Sequence, residues 1–293
     1  MKTAKIIVCC HKQDIMATQE PYMPIHVGKT LSSANLDIQV DNEGDNISEK
    51  NASYCELTGM YWAWKNLKNI DVIGLCHYRR YFDFHNQCIP YMPHTAFNSD
   101  AFHNINLNIP ENIIEKLSNG NIILAKPRKY SYSLFTNYCV EHISDDIRTL
   151  EQYVYENLEK KYQTAWFRIM QCNNNLSHYN MFIMTWQDFD KYCKWLFPIL
   201  NEMEKQIDIT HYSSVEARIF GYMAERLLNV WVYANNMKVN HLPIIWFSDY
   251  ESKQPIPNKI RIKLRHLKAD LALKLGTHKN MEKWLRNKPY KLK

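Results

Sequence analysis

The chain has 293 residues, of which 46% are hydrophobic and 23% charged. That is enough apolar material for one large packed domain and too much for a disordered chain. Its 7 glycines form neither a Gly-x-Gly-x-x-Gly run nor a Walker A sequence, which excludes the usual glycine-rich phosphate loops. The net charge of +6 is uneven, because residues 253–293 hold 13 Lys and Arg against 2 Asp and Glu, leaving a mildly acidic body.

The first apolar, β-branched run, residues 5–10, predicts a buried strand, with His11 and Lys12 just past its carboxyl end. Ligands of open α/β sheets bind beyond that end of the strands. Residues 21–36 read as loop and 41–46 as an acidic turn. Tyr54, Leu57, Tyr61, Trp64 and Leu67 have helical spacing, with Asn51 or Ser53 as cap. Residues 71–76 form the next buried strand, followed directly by His77-Tyr-Arg-Arg-Tyr-Phe82. Residues 83–108 read as a long irregular loop, 110–117 as a short helix and 121–126 as a strand. A helical region at 143–167, a strand at 180–185, helices at 187–203 and 213–232 and a strand at 241–247 complete the body. Alternating strands and helices predict a mostly parallel sheet flanked by helices. The eight cysteines include no Cys-x-x-Cys and sit mostly in apolar runs, as small hydrophobes do. Neither a signal-peptide core nor about 18 uninterrupted apolar residues is found. The expectation is a soluble, reduced, cytoplasmic chain.

The chemistry concentrates at His77, Arg79 and Arg80. Two arginines and a histidine at the end of a buried strand are costly to desolvate without an anion. A diphosphate suits the planar fork of Arg, although a surface pair with Asp or Glu would also do. For a general base the candidates are His142, Asp145, Asp146 and Glu225, with His178 beside them. His142 lies one turn before Asp145 and Asp146 if that stretch is helical, a spacing that permits a His–carboxylate pair. Glu225-Arg226 interrupts an apolar helix, either as a structural ion pair or as a site group. Asn180, just before a strand, is placed to bond a sugar hydroxyl or simply to form a turn.

Asp45-Asn-Ile-Ser-Glu-Lys-Asn51, Tyr54-Cys-Glu-Leu-Thr58, Tyr61-Trp-Ala-Trp-Lys65 and Ile73-Gly-Leu-Cys-His-Tyr-Arg-Arg-Tyr-Phe82 carry a resemblance. So do Tyr179-Asn-Met-Phe-Ile-Met184, Ala217-Arg-Ile-Phe-Gly221 and Glu225-Arg-Leu-Leu228. Together they resemble a bacterial capsular and exopolysaccharide glycosyltransferase family long catalogued as a domain of unknown function. The resemblance covers roughly residues 4–247. It implies a GT-A-like nucleotide-sugar fold and relatives linked to galactofuranose transfer from UDP-galactofuranose. On that footing His11, Asp45, Glu49, Lys50, His77, Arg79, Arg80 and Asn180 are expected to bind the donor. GT-A folds usually hold a divalent metal with Asp-x-Asp at an early strand end, where this chain has His77-Tyr78-Arg79. Asp188-Phe-Asp190 opens a helix and reads as capping. Mg²⁺ or Mn²⁺ at Asp41, Glu43 and Asp45 stays open.

In the tail, Ile260, Leu264, Leu267, Leu271 and Leu275 fall on one helical face among Lys and Arg. Such a helix, with Trp284 beyond it, suits an anionic membrane surface; packing on the catalytic domain is the main alternative, ahead of a plain solvated tail and of nucleic acid, for which no module is present.

The expectation is therefore a GT-A-like α/β domain over residues 1–252 with a basic helical extension at 253–293. It would move a hexosyl unit from a UDP-sugar to a lipid-linked oligosaccharide on the inner face of the bacterial inner membrane, in capsule, exopolysaccharide or O-antigen synthesis. The alternatives are a membrane-associated scaffold of such an assembly or another nucleotide-sugar enzyme.

Overall fold

The computed structural model describes residues 2–276; Trp284 and the end of the basic tail lie outside them. The strands are β1 (Ala4–Cys10), β2 (Tyr22–His26), β3 (Gln39–Val40), β4 (Val72–His77), β5 (Arg80–Phe82), β6 (His94–Phe97), β7 (Asn121–Ala125), β8 (Arg128–Lys129), β9 (Asn175–Leu176), β10 (Phe182–Thr185), β11 (Lys238–Leu242) and β12 (Ile244–Phe247). The helices are α1 (Asn51–Tyr54), α2 (Leu57–Asn66), α3 (Glu111–Lys116), α4 (Leu134–Glu141), α5 (Ser144–Asn157), α6 (Lys160–Trp166), α7 (Trp186–Gln206), α8 (Ile219–Ala234) and α9 (Lys259–Lys274).

The chain forms two compact units. The first comprises Met1–Lys126, Ser177–Trp195 and Met237–Pro255, and the second Pro127–Leu176, Leu196–Asn236 and the chain from Ile256 onward. The first unit is built on one sheet of order β11-β7-β10-β4-β1-β2-β3, with β5, β6 and β12 branching from β4. β1, β2, β3 and β4 run parallel, as do β7 and β11. β10 runs against both β4 and β7. Ile6, Ile7 and Val8 of β1 and residues 72–76 of β4 are buried on both faces, which is why these runs are continuously apolar rather than alternating.

α2 covers one face, and a Cβ on Gly59 would lie 2.8 Å from Val27 and 3.2 Å from Cys9 Sγ, so the missing side chain lets the helix sit close. Tyr22, Tyr81, Phe82, Leu107, Phe247 and their neighbours form the core on the other face. In the second unit α4, α5, α6 and α8 bury Phe135, Tyr138, Leu150, Trp166 and Leu227, beside the antiparallel pair β8–β9. All eight cysteines are free, and among them Cys172 is exposed and Cys55 half-buried while the rest are buried.

Several elements differ from the sequence expectation for identifiable reasons. The helix expected through Tyr54 breaks at Cys55, whose φ of 53° is left-handed, and Asn51 bridges the break by donating to Cys55 O at 2.7 Å. Residues 83–108 contain β6 and a short 3₁₀ helix, Ser99–Asn104, N-capped by Asn98. The strand expected at 180–185 starts at Phe182, because Tyr179 and Asn180 are left-handed. The helix expected from residue 213 starts at Ile219, after a 3₁₀ turn in which Ser213 and Glu216 cap each other reciprocally. The single strand expected at 241–247 splits at Pro243, which has no N–H for the ladder, so β11 pairs with β7 while β12 pairs with β5 and β6.

Gly74 sits in β4 where β1 and β10 close in. A Cβ there would lie 2.7 Å from Ile6 Cδ1, 2.9 Å from Ile183 Cγ1 and 3.0 Å from the Phe182 carbonyl oxygen. Gly74→Ala is expected to cost about 1–3 kcal/mol by overpacking, read as a lower midpoint in urea unfolding.

Candidate active site

The carboxyl ends of β1, β2 and β4 meet at one edge of the first unit. Cys9 is in register with His77, and Cys10 with His26. Beyond β1 the chain runs into His11, Lys12 and Asp14, and beyond β4 it turns tightly through Tyr78 and Arg79 into β5. Because β10 runs the other way, its leading residues Tyr179 and Asn180 arrive at the same edge. The His77 imidazole donates from Nε2 to the Tyr179 carbonyl at 2.7 Å. Asn180, buried with φ 52°, donates its amide to Glu56 Oε1 at 2.7 Å. Glu56 stands immediately before α2. The Tyr81 hydroxyl accepts from Ala17 N and donates to Tyr78 O, both at 2.9 Å, and so fixes the loop after β1 against the turn after β4.

The two arginines have different surroundings. Arg79 makes a bidentate pair with Asp14, Nε to Oδ1 at 3.0 Å and Nη2 to Oδ2 at 2.8 Å, and Lys12 Nζ lies 3.7 Å from the same carboxylate. Asp14 therefore supplies the anion that the sequence leaves open for Arg79. Arg80 lies 4.8 Å from the Tyr179 ring centroid and 5.2 Å from that of Trp246, a cation between two π faces. Among the described residues no carboxylate pairs with Arg80, and its buried Nε has no hydrogen-bond partner. His11 stands edge-on to Tyr78 with centroids 5.5 Å apart. His26, at the end of β2, is buried; desolvation, then the nearby Lys29, lower its pKa and keep it neutral.

His11, His77, Arg79, Arg80 and Asn180 are thus brought to one edge. Lys50 precedes α1 with its ammonium 5.6 Å from the Tyr54 ring, and Glu49 is exposed on the turn before it. Asp45 is placed elsewhere: its carboxylate accepts from the Tyr61 hydroxyl at 3.2 Å, and its backbone bonds Asn66 at the carboxyl end of α2. Glu56, Asp14 and Trp246 join the edge without having been singled out in the sequence. A carboxylate four residues beyond a strand, with a strand-end Arg to neutralise, was the available signal for Asp14. Glu56 looks like any helix-start acid, and Trp246 comes from a strand far along the chain.

Several of the carboxylates weighed for a divalent ion have protein partners. Asp41 is buried and accepts from Gly28 N, Lys29 N and Ser48 Oγ at 2.7, 3.0 and 2.5 Å. Asp188 accepts from Gly120 N and Asp190 from the Trp64 indole, so this Asp-x-Asp holds neighbouring chain together. Among the described residues no three His, Cys, Asp or Glu side chains gather as metal ligands. The donor set at the end of β4 is cationic, with Asp14 claimed by Arg79 and Glu56 bonded by Asn180, and so suits an anion better than a metal ion.

The remaining candidates, His178 excepted, lie in the second unit. α4 ends at Glu141 and α5 begins at Ser144, with His142 extended between them, so the one-turn spacing to Asp145 and Asp146 does not apply. His142 pairs with neither. It stacks on Tyr222 at 4.1 Å and lies against Tyr138 at 4.7 Å. Burial, then the Arg226 charge, hold its pKa down at about 4, so it is neutral at pH 7 and a weak base. Asp145 is exposed and paired with Arg148 at 2.8 Å. Glu225 pairs with Arg226 at 2.8 Å, and Arg226 is 2% exposed. Asp146 is buried and accepts from the Tyr212 hydroxyl at 2.7 Å; His178 contacts the Tyr179 ring in the first unit.

The family described as "Domain of unknown function (DUF4422)" matches residues 5–236. None of the curated proteins matches the chain. Among solved structures, the WbbM bifunctional glycosyltransferase in its apo form is 28% identical, with a TM-score of 0.73 over 84% of this chain. The match spans 45% of that protein's chain. The mixed α/β architecture with its mostly parallel sheet therefore matches a glycosyltransferase fold.

Burial raises the Asp146 pKa to about 7 from 3.8, more than the Tyr212 hydrogen bond lowers it. The folded carboxyl keeps a proton that the unfolded chain releases, so stability is fullest below about pH 4 and falls as pH rises through about 7. Asp146→Asn keeps the Tyr212 contact and removes that fall. Its melting temperature should exceed the parent's by several degrees above pH 7 and converge with it in acid, which differential scanning calorimetry across pH would read.

Proposed function

Because the chain belongs to the DUF4422 family, we propose that it is a glycosyltransferase taking a hexosyl unit from a UDP-sugar. The observation that carries the proposal is Arg80: a cation that no carboxylate of the described residues pairs, framed by Tyr179 and Trp246 at the carboxyl edge of parallel strands. A nucleoside diphosphate is the anion that such an edge takes in α/β sheets, and the likeness to WbbM, a bifunctional glycosyltransferase, supports the same chemistry. The finer reading is galactofuranosyl transfer to a lipid-linked oligosaccharide, for capsule, exopolysaccharide or O-antigen, at the inner face of the bacterial inner membrane. It rests on the sequence resemblance.

In the proposed reaction an acceptor hydroxyl oxygen attacks the anomeric carbon from the face opposite UDP. The bond from that carbon to the diphosphate oxygen breaks, and UDP leaves with the electron pair. Arg80, Arg79 and His77 receive the growing negative charge on the diphosphate in place of a metal ion. The acceptor proton goes to a carboxylate, for which Glu56, held by Asn180, is the group this edge offers. His142, Asp145, Asp146 and Glu225 stay proposals for that role, tested by the same substitutions.

Arg80→Ala should lower turnover of a UDP-sugar at least tenfold, because a charge-assisted phosphate contact contributes about 1.5–3 kcal/mol. Arg79→Ala should do likewise, with some added loss from leaving Asp14 unpaired. Near-normal steady-state rates in both would remove the diphosphate role. Transfer should also survive EDTA; complete loss restored by Mn²⁺ would return the diphosphate to a metal.

A further inference from the structure

α9 has two apolar sides, and only one is used. Asn258 caps it, accepting from Ile260 N at 2.8 Å. On the inner side Ile262 and Ala269 are buried, and Asp270 accepts from Lys129 Nζ at 2.6 and 2.7 Å. On the outer side Ile260, Leu264, Leu267, Leu271 and Leu275 are each between 55 and 70% exposed. Single exposed leucines are ordinary, but five in helical register make a stripe.

The borders of the stripe are basic. At 3.6 residues per turn, Arg261 and Lys268 fall along one margin and Lys263 and Lys274 along the other. Asp270 is the one acid of α9; it lies next to the Lys263 and Lys274 margin and pairs with Lys129. The outer side is therefore an apolar ridge between two rows of cations, none of them ion-paired among the described residues.

We infer that this outer side of α9 lies in the headgroup region of an anionic phospholipid bilayer, leucines toward the acyl chains and the flanking cations on lipid phosphates. Charge complementarity selects this occupant. A bilayer offers apolar depth flanked by phosphate on every side, which is what a ridge with cations at both margins fits. A second copy of the helix would set cation against cation along both margins. A nucleic-acid backbone would leave the leucines nothing to bury against. No helix of the described residues is long and apolar enough to cross a membrane, so the contact lies in the plane of the surface. The inference rests on the transfer proposal for its purpose, since a lipid-linked acceptor is met at a membrane surface.

The test is co-sedimentation of the full chain with phosphatidylcholine vesicles, with and without phosphatidylglycerol. Binding should be at least about tenfold tighter to the anionic vesicles and should weaken in salt. The triple variant Leu264→Ser, Leu267→Ser, Leu271→Ser should lose about tenfold or more of that affinity. Its thermal midpoint should hold, because those side chains touch solvent. Arg261→Glu with Lys268→Glu should lose the preference for anionic lipid. Absence of vesicle binding by the parent chain, equal binding to both vesicle types, or unchanged binding by the leucine variant would each overturn the inference. So would a concentration-dependent dimer abolished by the leucine variant, or binding to nucleic acid in place of vesicles. Vesicle binding that follows these rules alongside no turnover of any UDP-sugar would sink the transfer proposal and leave this one standing.

Discussion

The direction of β10 governs the candidate site. Three neighbouring strands, β2, β1 and β4, all deliver their carboxyl ends to one edge. A fourth parallel strand would have brought another carboxyl end. β10 instead runs antiparallel and brings an amino end, so Tyr179 and Asn180 reach the edge on left-handed backbone. Each makes a bond there that a strand leaving the edge could not: the Tyr179 carbonyl takes His77, and the Asn180 amide reaches Glu56. The cost is steric, since β10 presses the Phe182 carbonyl onto β4 where only a hydrogen is tolerated, at Gly74. A glycine in mid-strand gives up rigidity and packing; here the close approach of a neighbouring backbone accounts for it.

Charge at this edge is arranged by contrast. Arg79 is neutralised in place by Asp14, through a two-point contact that fixes its guanidinium plane. Among the described residues Arg80 has π faces and no carboxylate beside it, and such faces attract a cation without cancelling its charge. A fixed, compensated arginine beside a fixed, uncompensated one gives a positive potential whose position is set before any anion arrives. That is the condition under which electrostatic stabilisation needs little reorganisation during reaction.

Much of the sheet was legible in the sequence because β1, β4 and β7 are buried on both faces and so appear as unbroken apolar runs. His77, Arg79 and Arg80 were legible as a cluster because charge directly after such a run calls for an anion, which Asp14 supplies for Arg79. What was not legible depended on partners distant in the chain. Nothing near Cys55 marks a break, since neither Gly nor Pro is present, and the left-handed turn is enforced by Asn51 reaching across it. Pro243 did mark a break, and its missing N–H splits one apolar run between two strand pairings. Asp45 belongs to a motif that reads as a ligand turn, yet Tyr61 and Asn66, more than a dozen residues on, draw it to the far end of α2. The proposed His142–carboxylate pair failed for a local reason, an extended residue between two helices.

The distribution of thiols has a practical side. Cys10 and Cys88 are buried, with desolvation as the main cause lifting each pKa to about 12, and burial raises Cys9, Cys76 and Cys193 as well. A thiol that stays protonated is a poor nucleophile. Cys172, which follows the π-helical turn Phe167–Gln171, is the exposed exception. Without any engineering, the helical unit thus presents a preferred point of attachment for a maleimide fluorophore or spin label.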